Sequence, residues 1–290
     1  MWVNGQLTQK IAVFAANNKF GQGALPATLA EFNLMGHAGG VFRTFYDISL
    51  VDGYNIPIGI VYLGNSSGNP NLTDIPPNLT NPVCIGTAAL LTEPVDAPDA
   101  TMGFNSSLYH IPLEHTVSRR TVQDWCPWDL QLAPPEKPGD GVYPYPDDNI
   151  KRPLFDPCYS ACAKWRSPKY CCTGKYNSAS SCSRSYYSTQ AKMVCPDAYS
   201  FAYDDATSTF SLPPGGGWEV VFCPTGRSTT ILRTFGAQLN QLNQAGHMTK
   251  QINADAQNIT LIKIMNEGVP SRPSQVLLAF VLLLAVVCLS

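Results

Sequence analysis

Acidic residues fall on two segments whose side chains alternate, and another sits at the turn that follows. In residues 28–34 (TLAEFNL), Leu29, Glu31 and Asn33 share one face and Ala30, Phe32 and Leu34 the other. In residues 42–51 (FRTFYDISLV), Tyr46, Ile48 and Leu50 face one way and Phe45, Asp47, Ser49 and Val51 the other. Glu31 and Asp47 can therefore face a common groove. Asp47 and Asp52 are an odd number of positions apart and would point oppositely on one regular strand. Asp52 joins the groove only if the strand ends at Asp52-Gly53, which reads as a turn. Clustered carboxylates can divide the work of glycoside hydrolysis between a protonated acid and a base or nucleophile. They can also simply accept hydrogen bonds from sugar hydroxyls. Their plain structural uses stay equally open: Asp52 can cap a turn and Asp204-Asp205 can shape a loop.

Cysteine is the second chemical signal. The chain has ten, Cys84, Cys126, Cys158, Cys162, Cys171, Cys172, Cys182, Cys195, Cys223 and Cys288. Zinc binding would need repeated Cys-x-x-Cys or Cys/His pairs, and the four histidines fall nowhere near such spacing. The cluster lies among Asn-x-Ser/Thr sites at Asn65, Asn71, Asn78, Asn105 and Asn258. Together they read as an oxidised, glycosylated ectodomain with no metal and no cofactor.

Composition narrows the class further. Charged residues are 14% of 290, against about 25% in soluble domains, and the net charge is -2. That excludes a basic nucleic-acid binder and a polyanionic tail. With 22 glycines, 24 prolines and 44% apolar residues, the chain reads as a turn-rich β fold, neither a helical bundle nor disordered.

The elements that must position the acids follow from the pattern. Residues 28–34 and 42–51 read as strands, as does the apolar run 58–63. Residues 207–212 and 218–222 read as a hairpin closed by Pro213-Pro214-Gly215-Gly216-Gly217. Residues 84–195 show little periodicity, so disulfides must pin them. Leu232, Phe235, Leu239, Leu242 and Ala245 recur at helical spacing, and residues 227–268 read as a stalk or satellite element.

The two ends give conflicting expectations. Residues 276–290 (VLLAFVLLLAVVCLS) are fifteen uncharged residues, short of the ~20 that span a membrane comfortably. They follow a short polar spacer and Asn266-Glu267-Gly268, which together form a glycosylphosphatidylinositol (GPI) anchor signal with Asn266 as the attachment site. A short tail anchor is the alternative. Met1 to Gln6 carry no basic and apolar leader, so the expectation is that the true N-terminus is missing.

Four strings resemble the thaumatin-like proteins, the family of osmotin and zeamatin. They are TLAEF at 28–32, FYDISLVDGYN at 45–55, CPDAYS at 195–200 followed by Asp204-Asp205, and VVFCP at 220–224. The resemblance covers residues 26–224 and leaves out the first 25 residues, the Cys-poor stretch 85–125 and the tail. It implies an all-β fold: a thaumatin-like β-sandwich, incomplete at the N-terminus, with an inserted disulfide-rich, loop-dominated domain. The implied domains are 1–83 plus 196–226 for the sandwich and 84–195 for the disulfide-rich part. Residues 227–268 form the extension and 269–290 the anchor signal or hydrophobic tail.

The resemblance also implies bridges Cys84–Cys195, Cys126–Cys158, Cys162–Cys171 and Cys172–Cys182. It leaves Cys223 unpaired, because its family partner lies near the mature N-terminus. A further family cysteine is Leu212 here, and its partner before Cys84 is absent too. The family's acidic cleft matches Glu31, Asp47, Asp52 and Asp204, with Asp205 the alternative for the last, while the cleft arginine is missing. The implied function is binding of β-1,3-glucan-type wall polysaccharide by a monomeric, GPI-anchored surface protein, with an antifungal or wall-remodelling role. The enzyme alternative is a weak endo-β-1,3-glucanase with Glu31 as acid and Asp52 or Asp204 as base or nucleophile. The third is a non-catalytic surface protein or a nonfunctional fragment of a longer product.

Overall fold

The computed structural model describes residues 2–3, 6–12, 25–38, 40–64, 70–86, 122–132, 157–224 and 228–256. Two antiparallel sheets carry the fold. The larger has β1 (Trp2–Val3), β2 (Gln6–Ala12), β3 (Leu29–Ala38), β4 (Val41–Ser49) and, at its edge, β7 (Phe210–Leu212). The smaller has β6 (Val83–Cys84), β5 (Ile58–Leu63) and β8 (Gly217–Phe222), in that order. The alternation in β3 and β4 sends Ala30, Phe32, Tyr46 and Ile48 into the core, where they meet Ile58, Ile60 and Tyr62 of β5.

The all-β expectation fails. The described residues form a mixed α/β fold with two open sheets and six α-helices. These are α1 (Pro77–Thr80), α2 (Val122–Trp125), α3 (Ala161–Trp165), α4 (Pro168–Cys171), α5 (Tyr186–Val194) and α6 (Ile231–Ala245), and residues 250–256 are helical as well. The segment expected to be loop-dominated carries four of the six. The first four helices have four or five residues each, about one turn, so a 3.6-residue period has no room to register. Local caps start them instead. Pro77 and Pro168 occupy first-turn positions, and Ser160 accepts from the Ala163 amide at 2.9 Å. The longer α5 opens with a reciprocal Ser185–Ser188 box.

The expected hairpin of residues 207–222 is not formed. β7 pairs with β4 and β8 pairs with β5, so the four-residue connection 213–216 carries the chain from one sheet to the other. Gly216 has φ +86 and lies against the Tyr62 ring, where a Cβ would collide. The crossing packs Trp218 between the sheets, with ring centroids 6.0 Å from Phe32, 6.0 Å from Tyr46 and 5.5 Å from Tyr62. Tyr46 donates its buried hydroxyl to the Thr80 carbonyl at 2.7 Å.

A second aromatic group joins the helices to the sheets. Trp125 lies 5.6 Å from Tyr54 and 6.3 Å from Tyr187, and its indole N–H donates to the Gly86 carbonyl at 2.7 Å. Tyr187 donates to the Leu50 carbonyl at 2.8 Å. Four disulfides, Cys84–Cys195, Cys126–Cys158, Cys162–Cys171 and Cys172–Cys182, fasten the region between. Cys223 is the free cysteine among the described residues.

Helix α6 does not stand off as a stalk. Ile231, Phe235, Leu239 and Leu242 share the main core with both sheets. The Asn243 side chain donates to the Ser211 carbonyl at 2.8 Å. At its start, the buried Asp197 carboxylate accepts from the amides of Ile231 at 2.7 Å and Leu232 at 3.0 Å.

The Cys84–Cys195 bridge closes a loop of sequence separation 111. Replacing both cysteines with alanine is expected to cost about 3–5 kcal/mol, mostly through greater freedom of the unfolded chain. Urea unfolding of the double variant under non-reducing conditions checks this; an unchanged midpoint would refute it.

Candidate functional site

The groove face begins with a register. In the β3–β4 pair Glu31 stands directly opposite Asp47, and Asn33 opposite Phe45, all on the face turned away from the aromatic core. Both acids are half-buried. β4 ends at Ser49. The Gly53 amide then donates to the Leu50 carbonyl at 3.0 Å, closing the turn that carries Asp52. Gly53 has φ +106, and a Cβ there would meet the Cys158 carbonyl oxygen at 2.5 Å. Turning the chain at this point frees Asp52 from the strand's alternation. The Asp52 carbonyl ties the turn back by accepting from the Ala27 amide at 3.2 Å.

The segment after Cys195 runs beside the end of β4. Tyr199 lies alongside the end of β4 in a parallel bridge with Ser49. Its amide donates to the Ile48 carbonyl and its carbonyl accepts from the Leu50 amide, both at 2.8 Å. Its hydroxyl donates to Asp205 Oδ1 at 2.8 Å and is also hydrogen-bonded to Thr209. Burial pushes the Tyr199 phenol well above its ordinary pKa. Its hydrogen bond to Asp205 and the nearby charges of Asp47 and Asp205 push the same way, and the Thr209 bond opposes them. Tyr187 behaves alike, through burial and then the Asp52 charge. Two neutral phenols thus stand among the carboxylates.

Asp204 is placed differently from the other acids. Its side chain is 1% exposed, beside Arg184 Nη2 at 3.3 Å and Lys192 Nζ at 3.2 Å. Ser200 donates to it through its amide at 3.1 Å and its hydroxyl at 2.8 Å, and Thr207 through its hydroxyl at 2.8 Å. Burial raises its pKa, but Lys192 and these hydrogen bonds outweigh burial and hold the carboxyl below its ordinary value. The exposed member of the pair is Asp205. The structure therefore brings Glu31 and Asp47 together, sets Asp52 at the turn that follows β4, joins Asp205 to the Tyr199 hydroxyl, and commits Asp204 to an internal ion pair.

Sequence reasoning missed Tyr199, Tyr187, Lys192 and Arg184. No spacing rule links Lys192 on α5 to Asp204 in a later loop; Tyr199 alone sat inside a recognisable string. Among the described residues no group of three or more His, Cys, Asp or Glu is placed to hold a metal ion. No described helix is long and apolar enough to cross a membrane. Asn71 is exposed, while Asn78 is half-buried and its side chain donates to the Ala256 carbonyl at 3.4 Å. Asn65, Asn105, Asn258, Asn266, Cys288 and the apolar tail lie outside the described residues.

A disulfide-pinned mixed fold with Glu31 and Asp47 paired on one sheet face defines a class, and comparison with known proteins makes it specific. The thaumatin family model matches residues 15–224, and the chain belongs to that family. It is 34% identical over 203 residues to pathogenesis-related thaumatin-like protein 3.2 of Cryptomeria japonica, covering 70% of this chain and 57% of that one. It is 30% identical over 205 residues to thaumatin-like protein 1 of Castanea sativa, covering 70% and 58%. It is 32% identical over 205 residues to a glucan endo-1,3-beta-glucosidase of Prunus avium, again covering 70% and 58%. The matched region thus spans 57–58% of the length of these relatives.

The Asp204 cluster generates a test. Because its folded pKa is depressed, Asp204 contributes stability that is complete above the ordinary carboxylate pKa of about 4. That contribution is lost as pH falls through the lower folded value. Asp204→Asn is expected to cost about 2–4 kcal/mol near neutral pH. The difference from the parent should shrink below about pH 4. Denaturation midpoints measured at several pH values check both the size and the slope.

Proposed function

We propose that the chain binds β-1,3-glucan-type wall polysaccharide in the groove holding Glu31, Asp47 and Asp52, as part of a general defence or wall-associated role. The observation that carries this reading is the cross-strand pairing of Glu31 with Asp47 on the sheet face away from the core. Two half-buried carboxylates side by side offer several acceptors to a sugar's hydroxyl groups. The glucan-acting name of the Prunus avium relative and the pathogenesis-related names of others support the same substrate class and role.

A glucanase reading is favoured by the same relative's name and by the paired carboxylates, which glycoside hydrolysis uses as acid and base or nucleophile. Glu31→Gln separates the two. It keeps the side chain's shape and removes both the charge and the donatable proton. For a binding groove, affinity for insoluble β-1,3-glucan should fall between several-fold and a hundredfold, or about 1–3 kcal/mol. For an enzyme, the parent should cleave laminarin and the variant should not. Equal glucan binding by the parent and a Glu31, Asp47, Asp52 triple-amide variant would overturn both readings.

Display at the cell surface belongs to the same proposal. The spacer and tail from Asn266 to Ser290 are read as a GPI attachment signal. A secreted version carrying this tail is expected to leave cells on treatment with phosphatidylinositol-specific phospholipase C. Retention in the membrane fraction would favour a tail anchor.

A further inference from the structure

Away from the carboxylate groove, an open cavity of about 530 Å³ lies between α5 and the start of α6. Its volume is in the range of small-molecule sites, about 300–1,000 Å³. Its lining combines Arg184, Lys192 and Arg233 with Met193, Pro196 and Leu232 and with hydroxyl-bearing threonines. We propose that this cavity binds a carboxylate-bearing pyranose unit, such as a uronate of an acidic wall polysaccharide.

Most of the charge around the cavity is satisfied within the fold. Lys192 is occupied: its Nζ donates to the carbonyls of Ala198 and Thr207, both at 3.0 Å, and to Ser208 Oγ at 2.6 Å, beside Asp204. The two acids behind the wall are occupied as well. Asp204 holds Lys192 and Arg184, and Asp197 is 2% exposed and caps the first amides of α6. The cations that reach solvent are Arg184, half exposed with its guanidinium 5.7 Å from the Phe201 ring, and Arg233, which is exposed.

Arg233 is the informative residue. It sits in the first turn of α6, whose leading amides are already capped by the buried Asp197 carboxylate. It makes no ion pair among the described residues. Arg184 and Arg233 both line the cavity, and Arg233 has no carboxylate partner among the described residues, so positive charge gathers at the cavity's open side. Two guanidinium groups suit a carboxylate, which they can bind in bidentate fashion. Met193, 45% exposed, with Pro196 and Leu232 offers an apolar patch for the C–H face of a sugar ring. The threonines offer partners for its hydroxyls. This proposal stands apart from the glucan reading, since the two sites share no ligand-facing residue.

The test is calorimetric titration of the purified full chain, disulfides intact, with trigalacturonate and with maltotriose as the neutral trimer of the same linkage type. Trigalacturonate is expected to bind, more weakly as salt rises, and maltotriose to bind at least tenfold more weakly. Arg233→Ala should lower trigalacturonate affinity about fivefold or more, and Arg233→Glu should abolish it. Both variants should keep the parent's melting temperature and laminarin affinity, because Arg233 is exposed and lies outside the groove. Equal binding of the two trimers, or unchanged affinity in Arg233→Glu, would overturn the proposal. So would binding of phosphatidylserine vesicles or inorganic sulfate without trigalacturonate binding, which would assign the cavity to a lipid surface or a simple anion.

Discussion

Cys195 is tied to Cys84 on β6 by a disulfide, and in the next nine residues the chain makes three further attachments. Asp197 holds the start of α6 through two backbone amides. Tyr199 adds its backbone to the end of β4. Asp204 grips α5 through Lys192 and reaches back to Ser200. One short segment is therefore bonded to both sheets and to the two longest helices. Few of these contacts are apolar. The constraint is the need to satisfy buried charge: a carboxylate removed from water must find cations or amide donors, and only one chain path supplies them here. That path places Tyr199 beside the end of β4 and Pro196 in the lining of the basic cavity.

The groove's electrostatics follow from that placement. Tyr199 is packed so that burial and neighbouring carboxylates keep its phenol protonated well beyond the physiological range. It remains a donor wherever the carboxylates are acceptors. Beside the acids Tyr199 adds a polar group without adding charge, while the Tyr187 hydroxyl is buried on the Leu50 carbonyl. The turn at Asp52-Gly53 completes the arrangement, because the left-handed glycine lets the chain leave β4 just as Asp52 is reached.

What the sequence made legible is what a repeating period can express. β3, β4 and β5 are runs of strict alternation or continuous apolarity and were readable to within a few residues, as was the helix of Leu232, Phe235, Leu239 and Leu242. The pairing of β7 and β8 was not. Pro-Pro-Gly-Gly-Gly has the composition of a hairpin loop, and only the Tyr62 ring beside Gly216 reveals a crossing between sheets. The one-turn helices were invisible for a related reason. Four or five residues contain no periodicity; a proline or serine starts α1, α3 and α4, and packing of Trp125 against Tyr54 and Tyr187 holds α2. Of the site, Glu31 and Asp47 could be paired from alternation, whereas the partners of Asp204 lie on elements that no local pattern connects.

Asp204 and Asp205 show why residue type alone cannot assign a role. They are neighbours, both acidic, both in a loop that precedes β7. Asp204 stands at the entrance of the short turn Asp205–Thr207, and the Thr207 hydroxyl fixes its carboxylate inward toward Lys192. The next residue in the tight turn projects elsewhere, and Asp205 emerges beside the Tyr199 hydroxyl. Turning Asp204 outward would leave the largely buried Lys192 ammonium without its carboxylate, a loss of several kcal/mol. That cost holds Asp204 inward and leaves Asp205 as the exposed acid. The same ion pair holds Arg184 at the rim of the cavity on the other side, so an anion-lined surface and a cation-lined one are built back to back across a single buried carboxylate.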